Sequence, residues 1–364
     1  MRTPRIRAAA LAAALPLVLA PYAASADPRG PENGGGQEKD FDLQAHRGGI
    51  ALTVENTLPA FANALELGVS TLELDVQVTE DGHAVVTHDR DPSPRNCRDT
   101  APAFADDPEF PYVPNRTYIK DLTLAQVRTI DCGSLRHPLY PDQELSPGEP
   151  MPLLSQVFDL VNAHHAEHVT LNVETKVEAG APEQTAPREA FVRAVLADIR
   201  DARIRNQVTI QSFDWGALMR VRELEPRLPI VALTNGQQFL QAGRDGASPW
   251  LGGIDIDAFP GNLQEKYVAA TASFDADAVS PVHGDPQGGT IDTPGYVPFT
   301  TQALVDAAHQ AGMRVIPWTV NDRATMEHLI GLGIDGLITD RPDLLREVMA
   351  DEGLALPRSY PARR

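Results

Sequence analysis

The feature that most constrains this chain is a repeated exchange between two hydrophobic periods. From residue 169 onward, short apolar runs with period two alternate with stretches whose apolar residues recur at three- and four-residue spacing. VTLNVETK (169–176), VTIQSF (208–213), PIVALT (229–234), GIDIDA (253–258), DAVSPV (277–282), RVIPWTV (314–320) and IDGLITD (334–340) read as strands. REAFVRAVLADIRDA (188–202), WGALMRVREL (215–224), TQALVDAAHQAG (301–312) and ATMEHLIGLG (324–333) read as helices. Upstream, FDLQAH (41–46) reads as a strand and TLPAFANALEL (57–67) as a helix stopped by Gly68. TLELDVQV (71–78) and AVVTH (84–88) flank the turn Thr79-Glu80-Asp81-Gly82 and predict a hairpin. Such alternation predicts parallel strands covered by helices. A closed barrel is favoured over an open sheet, because polar residues recur at the C-terminal ends of several strands instead of gathering at one crossover. The expected fold is α/β, a TIM-type (β/α)8 barrel over residues 41–350 with a C-terminal tail at 351–364. Residues 92–150 break the rhythm with repeated Pro and Asp, and predict an insertion after the second strand hairpin.

The chain opens with Arg2, Arg5 and Arg7, then a 13-residue apolar run (8–20), then Ala24-Ser25-Ala26. This pattern predicts a secretory signal peptide over 1–26, cleaved near Ala26, and hence a secreted or periplasmic protein. The apolar run is too short to span a bilayer, and no later one is longer, so no transmembrane anchor is expected. Residues 27–40 are rich in Pro and Gly and predict a disordered lead-in. Without the three signal arginines, 28 basic side chains face 50 acidic ones, a formal charge of −22. That balance disfavours nucleic acid and anionic membranes as partners. No required protein partner is evident. Two cysteines, Cys97 and Cys132, lie within the insertion. In an exported chain they are expected to form a disulfide, the alternative being two buried thiols.

The polar residues at strand ends point to chemistry. Glu73 and Asp75 are two apart on one strand and so share a face. Two bare carboxylates in a barrel interior raise each other's cost of ionisation, and a cation removes that conflict. Glu174, on the next parallel strand, supplies a third carboxylate ligand. An all-oxygen set suits a single divalent cation of the calcium or magnesium type. His46 and His88 end separate strands and are suited to accept and donate protons, the two transfers that hydrolysis of a phosphodiester requires. Arg47 and Lys176 can offset negative charge on a phosphoryl group. The segment HHAEH (164–168) reads as polar surface, and neither a GxSxG elbow nor a cysteine–histidine pairing supports a serine or cysteine nucleophile.

Six segments carry a family resemblance: HRGGIALTVENT (46–57), ELDVQVTEDGHAVVTHD (73–89), LNVETK (171–176), QSF (211–213), WTVND (318–322) and GLITDRPD (336–343). In this order the chain resembles the glycerophosphodiester phosphodiesterase family, in its secreted or periplasmic form. The resemblance implies a TIM barrel with an insertion after the hairpin, and metal-dependent hydrolysis of small glycerophosphodiesters to glycerol 3-phosphate and an alcohol. It places the paired catalytic histidines on His46 and His88 and the metal ligands on Glu73, Asp75 and Glu174. Arg47 and Lys176 fall on its phosphate side, Trp318 on the wall against the glycerol carbons, and Glu55 and Gln211 in supporting positions. It favours Ca2+, with Mg2+ as the alternative. One departure is Val54, where the family usually has proline. Two other readings remain: a phospholipase using Phe104, Phe110, Tyr112 and Tyr118 of the insertion as a lid, and a secreted binding protein that retains the barrel without catalysis.

Overall fold

The computed structural model describes residues 41–362, so the expected signal segment 1–26 and lead-in 27–40 lie outside the described residues. Among the described residues, eight parallel strands form the wall: β1 (Asp42–Ala45), β2 (Thr71–Val78), β4 (Thr170–Thr175), β5 (Val208–Ser212), β6 (Ile230–Thr234), β7 (Ala278–Pro281), β8 (Arg314–Val315) and β9 (Gly336–Thr339). They neighbour one another in chain order, and β9 returns to pair with β1 from Asp42↔Gly336 to Ala45↔Thr339. The last seam carries Asp335 N→Val315 O (2.9 Å) and Ile338 N→Pro317 O (3.0 Å). A short strand β3 (Ala84–Val86) pairs antiparallel with the end of β2, Val76↔Val86 to Val78↔Ala84, and stands outside the wall.

Strand alternation sorts the side chains. Leu72, Leu74 and Val76 of β2 pack outward in the main core with Phe61 and Phe158 of covering helices, while Glu73 and Asp75 point to the lumen. Part of the lumen is apolar, with Val231, Ala278, Ile316 and Ile338 packed together. Another part holds a polar ladder, in which Asn172 Nδ2 donates to Gln44 Oε1 (2.9 Å) and Gln211 Oε1 (2.7 Å). Helix starts follow their caps. The helix Leu58–Leu67 begins at Thr57, whose hydroxyl accepts from Ala60 N–H, and ends at Gly68 with φ 91°.

Three local expectations need correction. Residues 253–258 do not form a strand. Gly252 and Gly253 take φ of 61° and 96°, and Asp255 caps a 3-10 turn at Ile256–Ala258. The alternation of Ile254 and Ile256 imitates a strand, yet only Ile256 is buried. His164 is also not surface: it is buried, and its Nδ1–H donates to the Tyr360 carbonyl at 2.7 Å. Sequence reading missed this because the partner arrives from the C-terminal segment, which lies across the helix Leu58–Leu67 through Tyr360 N→Leu65 O (2.8 Å). The hairpin strand expected over 84–88 stops at Val86, so His88 stands on a loop beyond β3.

Between β3 and β4, Ile119, Leu122, Val127 and Ile130 pack a small separate core with Met151 against Val85. The insertion's two-residue strands Arg98–Asp99 and Ile130–Asp131 pair antiparallel, and the adjoining Cys97 and Cys132 are bonded. No helix among the described residues is long and apolar enough to cross a membrane.

Candidate active site

Barrel register assembles the acidic cluster. Asp75 lies directly opposite Glu174, and Glu174 opposite Gln211, on adjacent strands. Glu73, Asp75 and Glu174 are all buried, and each offers a carboxylate oxygen within 4.8 Å of the others. Glu73 accepts from Gln211 Nε2 (2.7 Å) and from the Arg47 backbone N–H (2.9 Å). Asp75 Oδ2 accepts from Asn56 Nδ2 (2.9 Å), whereas its Oδ1 is buried and has no hydrogen-bond partner. Lys176 Nζ stands 2.8 Å from Glu174 Oε1 and 3.6 Å from Asp75 Oδ1. Burial first, then the neighbouring carboxylates, push Glu73 up to about 8. Burial and Asp75 also lift Glu174 to about 7, against the pull of Lys176. Burial works against ionisation of Asp75 too, yet His88, Lys176 and Arg47 overcome it and hold the carboxyl well below its usual range. A buried orphan oxygen within a set of three carboxylates, two of them close to protonation at neutral pH, is the donor arrangement that fits a hard divalent cation.

The chain turn after β1 sets the second group of residues. Arg47 has φ 52° and Gly48 φ 83°, and a Cβ on Gly48 would meet Ala60 Cβ at 2.9 Å. This left-handed step sends the Arg47 amide toward Glu73 and its guanidinium to Glu55 (Nη1–Oε1 2.8 Å) and Asp75 (Nε–Oδ2 3.3 Å). His46 Nδ1 stands 2.5 Å from Asp340 Oδ1, and Arg47 Nε donates to its Nε2 at 3.2 Å. Across the cleft His88 Nδ1 lies 2.9 Å from Asp89 Oδ1.

The histidine environments differ. Burial and Arg47 lower His46, but the charge and hydrogen bond of Asp340, with Glu73, prevail and raise it above the ordinary imidazole value. For His88, burial, Arg47 and Lys176 prevail over Asp75 and Asp89 and lower it to about 4.

These groups line one cleft of about 360 Å³ at the C-terminal ends of the strands. Its far wall is aromatic. Trp318 meets Phe213 edge-on at 5.3 Å, Phe239 stacks on Trp250 at 4.2 Å, and Trp318 Nε1 donates to the Ser280 carbonyl. The sequence-derived residues His46, Arg47, Glu73, His88, Glu174, Lys176, Gln211 and Trp318 all line this cleft. Glu55 stands behind Arg47, and Asp75 lies beneath the cleft floor in contact with Arg47 and Lys176. Cys97 and Cys132 lie behind His88 in a small crevice shared with Glu55 and Asn56. Phe104, Phe110, Tyr112 and Tyr118 do not line the central cleft, and Tyr112 instead bonds to the Gln126 carbonyl within the insertion.

A family model described as the glycerophosphoryl diester phosphodiesterase family matches residues 46–344. The chain belongs to this family. A relative from Caldanaerobacter subterraneus named glycerophosphodiester phosphodiesterase is 28% identical over 309 residues, covering 85% of this chain and 98% of the relative. One of the same name from Bacillus subtilis is 26% identical, covering 84% and 85%. A solved structure from Silicibacter pomeroyi carrying the family name superposes with a TM-score of 0.70 at 29% identity, covering 88% of this chain and 96% of that one. An Oleispira antarctica phosphodiesterase, solved with the product sn-glycerol-3-phosphate, shares the fold at a TM-score of 0.59 and 19% identity, covering 85% and 96%. Membership makes the chain an enzyme of this family on a TIM barrel.

Two carboxylates beside the histidines carry no assigned role in the sequence pattern. Asp89 and Asp340 lay inside quoted segments, next to a histidine and at the end of the last strand, and the signal for them was their position at strand ends. The partner of His46 is 294 residues away in sequence, so only closure of the barrel brings it there.

Proposed function

We propose that this enzyme hydrolyses glycerophosphodiesters to glycerol 3-phosphate and an alcohol, with His46 and His88 as its acid–base pair. The observation that carries the reading is the meeting, in one cleft, of two carboxylate-anchored imidazoles with a buried tricarboxylate cluster. Glu73, Asp75 and Glu174 would hold one divalent cation, which when bound supplies positive charge to the phosphoryl oxygens. A set of three carboxylates favours calcium over magnesium, which usually takes one or two and keeps its waters.

Arg47 and Lys176 present fixed positive charge to the non-bridging phosphoryl oxygens. Asp340 and Asp89 each engage an Nδ1, which leaves the Nε2 of each imidazole for proton transfer, that of His46 lying 3.2 Å from the donating Arg47 Nε. One imidazole takes the proton of the attacking oxygen and the other returns a proton to the leaving alkoxide, with one water consumed over the whole reaction. The aromatic wall at Trp318 and Phe213 packs against the glycerol carbons and excludes water from that side. A cleft of this size suits a deacylated diester better than a lipid bearing two acyl chains. The solved relative that holds sn-glycerol-3-phosphate is in keeping with this choice.

The test is a substrate panel on the purified protein, with glycerol 3-phosphate as the measured product. Glycerophosphocholine and glycerophosphoethanolamine should be cleaved and diacyl phosphatidylcholine should not. Chelation should abolish turnover, and calcium should restore it more fully than magnesium. Full activity after chelation would remove the metal from the reaction.

Residues 1–26 carry the proposal of export, and the bonded Cys97–Cys132 pair supports it. Mass spectrometry of protein recovered outside the cytoplasm should find an N-terminus near Asp27.

A further inference from the structure

The insertion reaches the cleft by a route unrelated to its aromatic cluster. Residues 133–148 leave and rejoin its small core at one point. There Cys132 N–H donates to the Glu149 carbonyl (2.8 Å), and Asp131 Oδ1 accepts from Gly133, Ser134 and Gly148 N–H groups at 3.0–3.1 Å. Between those ends the arm crosses to the turn after β1. Gln143 is buried and donates through Nε2 to the Ile50 carbonyl at 2.6 Å, while Glu144 N–H donates to the Leu52 carbonyl at 2.8 Å. Tyr140 sits at this crossing, with its ring against His137 at 5.2 Å. Its hydroxyl donates to Asp340 Oδ2, the oxygen that also accepts from Asn321 Nδ2 at 2.7 Å. The other oxygen of the same carboxylate engages His46. Asn321 Oδ1 in turn accepts from the Asp340 N–H at 2.9 Å.

Asp340 is therefore gripped from three sides, and one grip comes from outside the barrel. A carboxylate with one oxygen on an imidazole rotates about its terminal bond unless the other oxygen is fixed. Asn321 fixes it from the neighbouring strand end, and Tyr140 from the insertion. Burial first, and Asp340 second, push the phenol well above its ordinary range, so it remains protonated and donates.

We propose that Tyr140 is a positioning residue for His46, acting through Asp340, so that the insertion completes the catalytic cleft instead of only flanking it. The inference rests on the reading of His46 as one member of the acid–base pair. Tyr140 is not part of the acidic cluster: it lines an outer groove with Asp322 and Thr290 that reaches His46 and Arg47 at the edge of the central cleft.

The test is a double-mutant cycle on the full chain, followed by kcat and KM with glycerophosphocholine, whose poor leaving group requires both proton transfers. Tyr140→Phe retains the ring and its contact with His137. It should lower kcat roughly 10-fold and leave KM within about twofold. In an Asp340→Asn background the same change should cost less than about twofold, because its route to His46 is already cut. An unchanged kcat for Tyr140→Phe overturns the proposal. So does an equal fall in both backgrounds, which would mark a structural effect independent of Asp340. His46→Gln is measured beside them. If that variant keeps wild-type turnover, the parent reading of His46 fails, and this result is separate from any result at Tyr140.

Discussion

The two sides of the cleft hold their histidines in different ways. His46 is matched to a carboxylate from the far end of the chain, and that carboxylate has further donors on its second oxygen. His88 takes its partner from the next residue, on a loop where His88 is 32% exposed and Asp89 21%. Asp89 is steadied from outside by Arg95 at 3.6 Å, whose side chain is mostly in solvent. One histidine is fixed by tertiary structure and the other largely by local chain geometry. The difference teaches that similar imidazole–carboxylate pairs can depend on very different amounts of the fold.

The largest effect should ignore this difference. Asp75 contacts both cationic side chains and lies between the two sides, so Asp75→Asn should lower turnover by at least about 10³-fold on every substrate. Calcium titration should show weaker binding in the same variant. A change that spared turnover while weakening calcium would separate the cluster from the chemistry.

Replacing either histidine sharpens the comparison. His46→Gln and His88→Gln should each cost roughly 10²–10⁴-fold in kcat on glycerophosphocholine. With a nitrophenolate leaving group, the variant lacking the proton donor should recover much of its loss, and the variant lacking the proton acceptor should not. Equal losses on both substrates would erase the assignment of separate roles.

The carboxylates behind the histidines come next. Loss of the carboxylate that orients an acid–base histidine costs up to about 10⁴-fold. Asp340→Asn should fall near about 100-fold, because the amide offers His46 the wrong partner in a buried setting. Asp89→Asn should fall nearer about 10-fold, because solvent partly replaces it. The reverse order in kcat would break the contrast between the two sides.

Stability against pH gives the smallest and most direct reading. In chelated protein, His46 lies above its unfolded value of about 6.5 and His88 below it, at about 4. The His46 contribution is complete below pH about 6.5 and is lost as pH rises through its folded value. The His88 contribution is complete above pH about 6.5 and is lost as pH falls toward 4. Thermal melts should therefore show His88→Gln losing less stability than the parent between pH 6.5 and 5, whereas His46→Gln loses the gain the parent makes on falling from pH 8 to 6.5. Parallel curves for both variants would mean that the two environments do not differ in this way.

Much of this arrangement was legible from sequence because it follows strand period. Glu73 and Asp75 share a face by their spacing, and Glu174 joins them because parallel register puts it opposite Asp75. His46, His88 and Lys176 were legible as polar residues just beyond apolar runs. What escaped depends on contacts between distant segments. Asp340 is an ordinary strand-end aspartate until β9 docks on β1, and Tyr140 belongs to a stretch with no periodicity to interpret. The GIDIDA segment misled for the opposite reason, since its alternation is real but its paired glycines and the Asp255 cap favour a turn.

Pairing of β9 with β1 also has a consequence in time. The ribosome delivers His46 early and its carboxylate 294 residues later. A chain that holds only the first seven wall strands is still chemically unfinished. The last strand therefore acts as a completion step: His46 gains its partner only when synthesis has passed residue 340, and a chain cut short before that point carries its first histidine without the group that orients it.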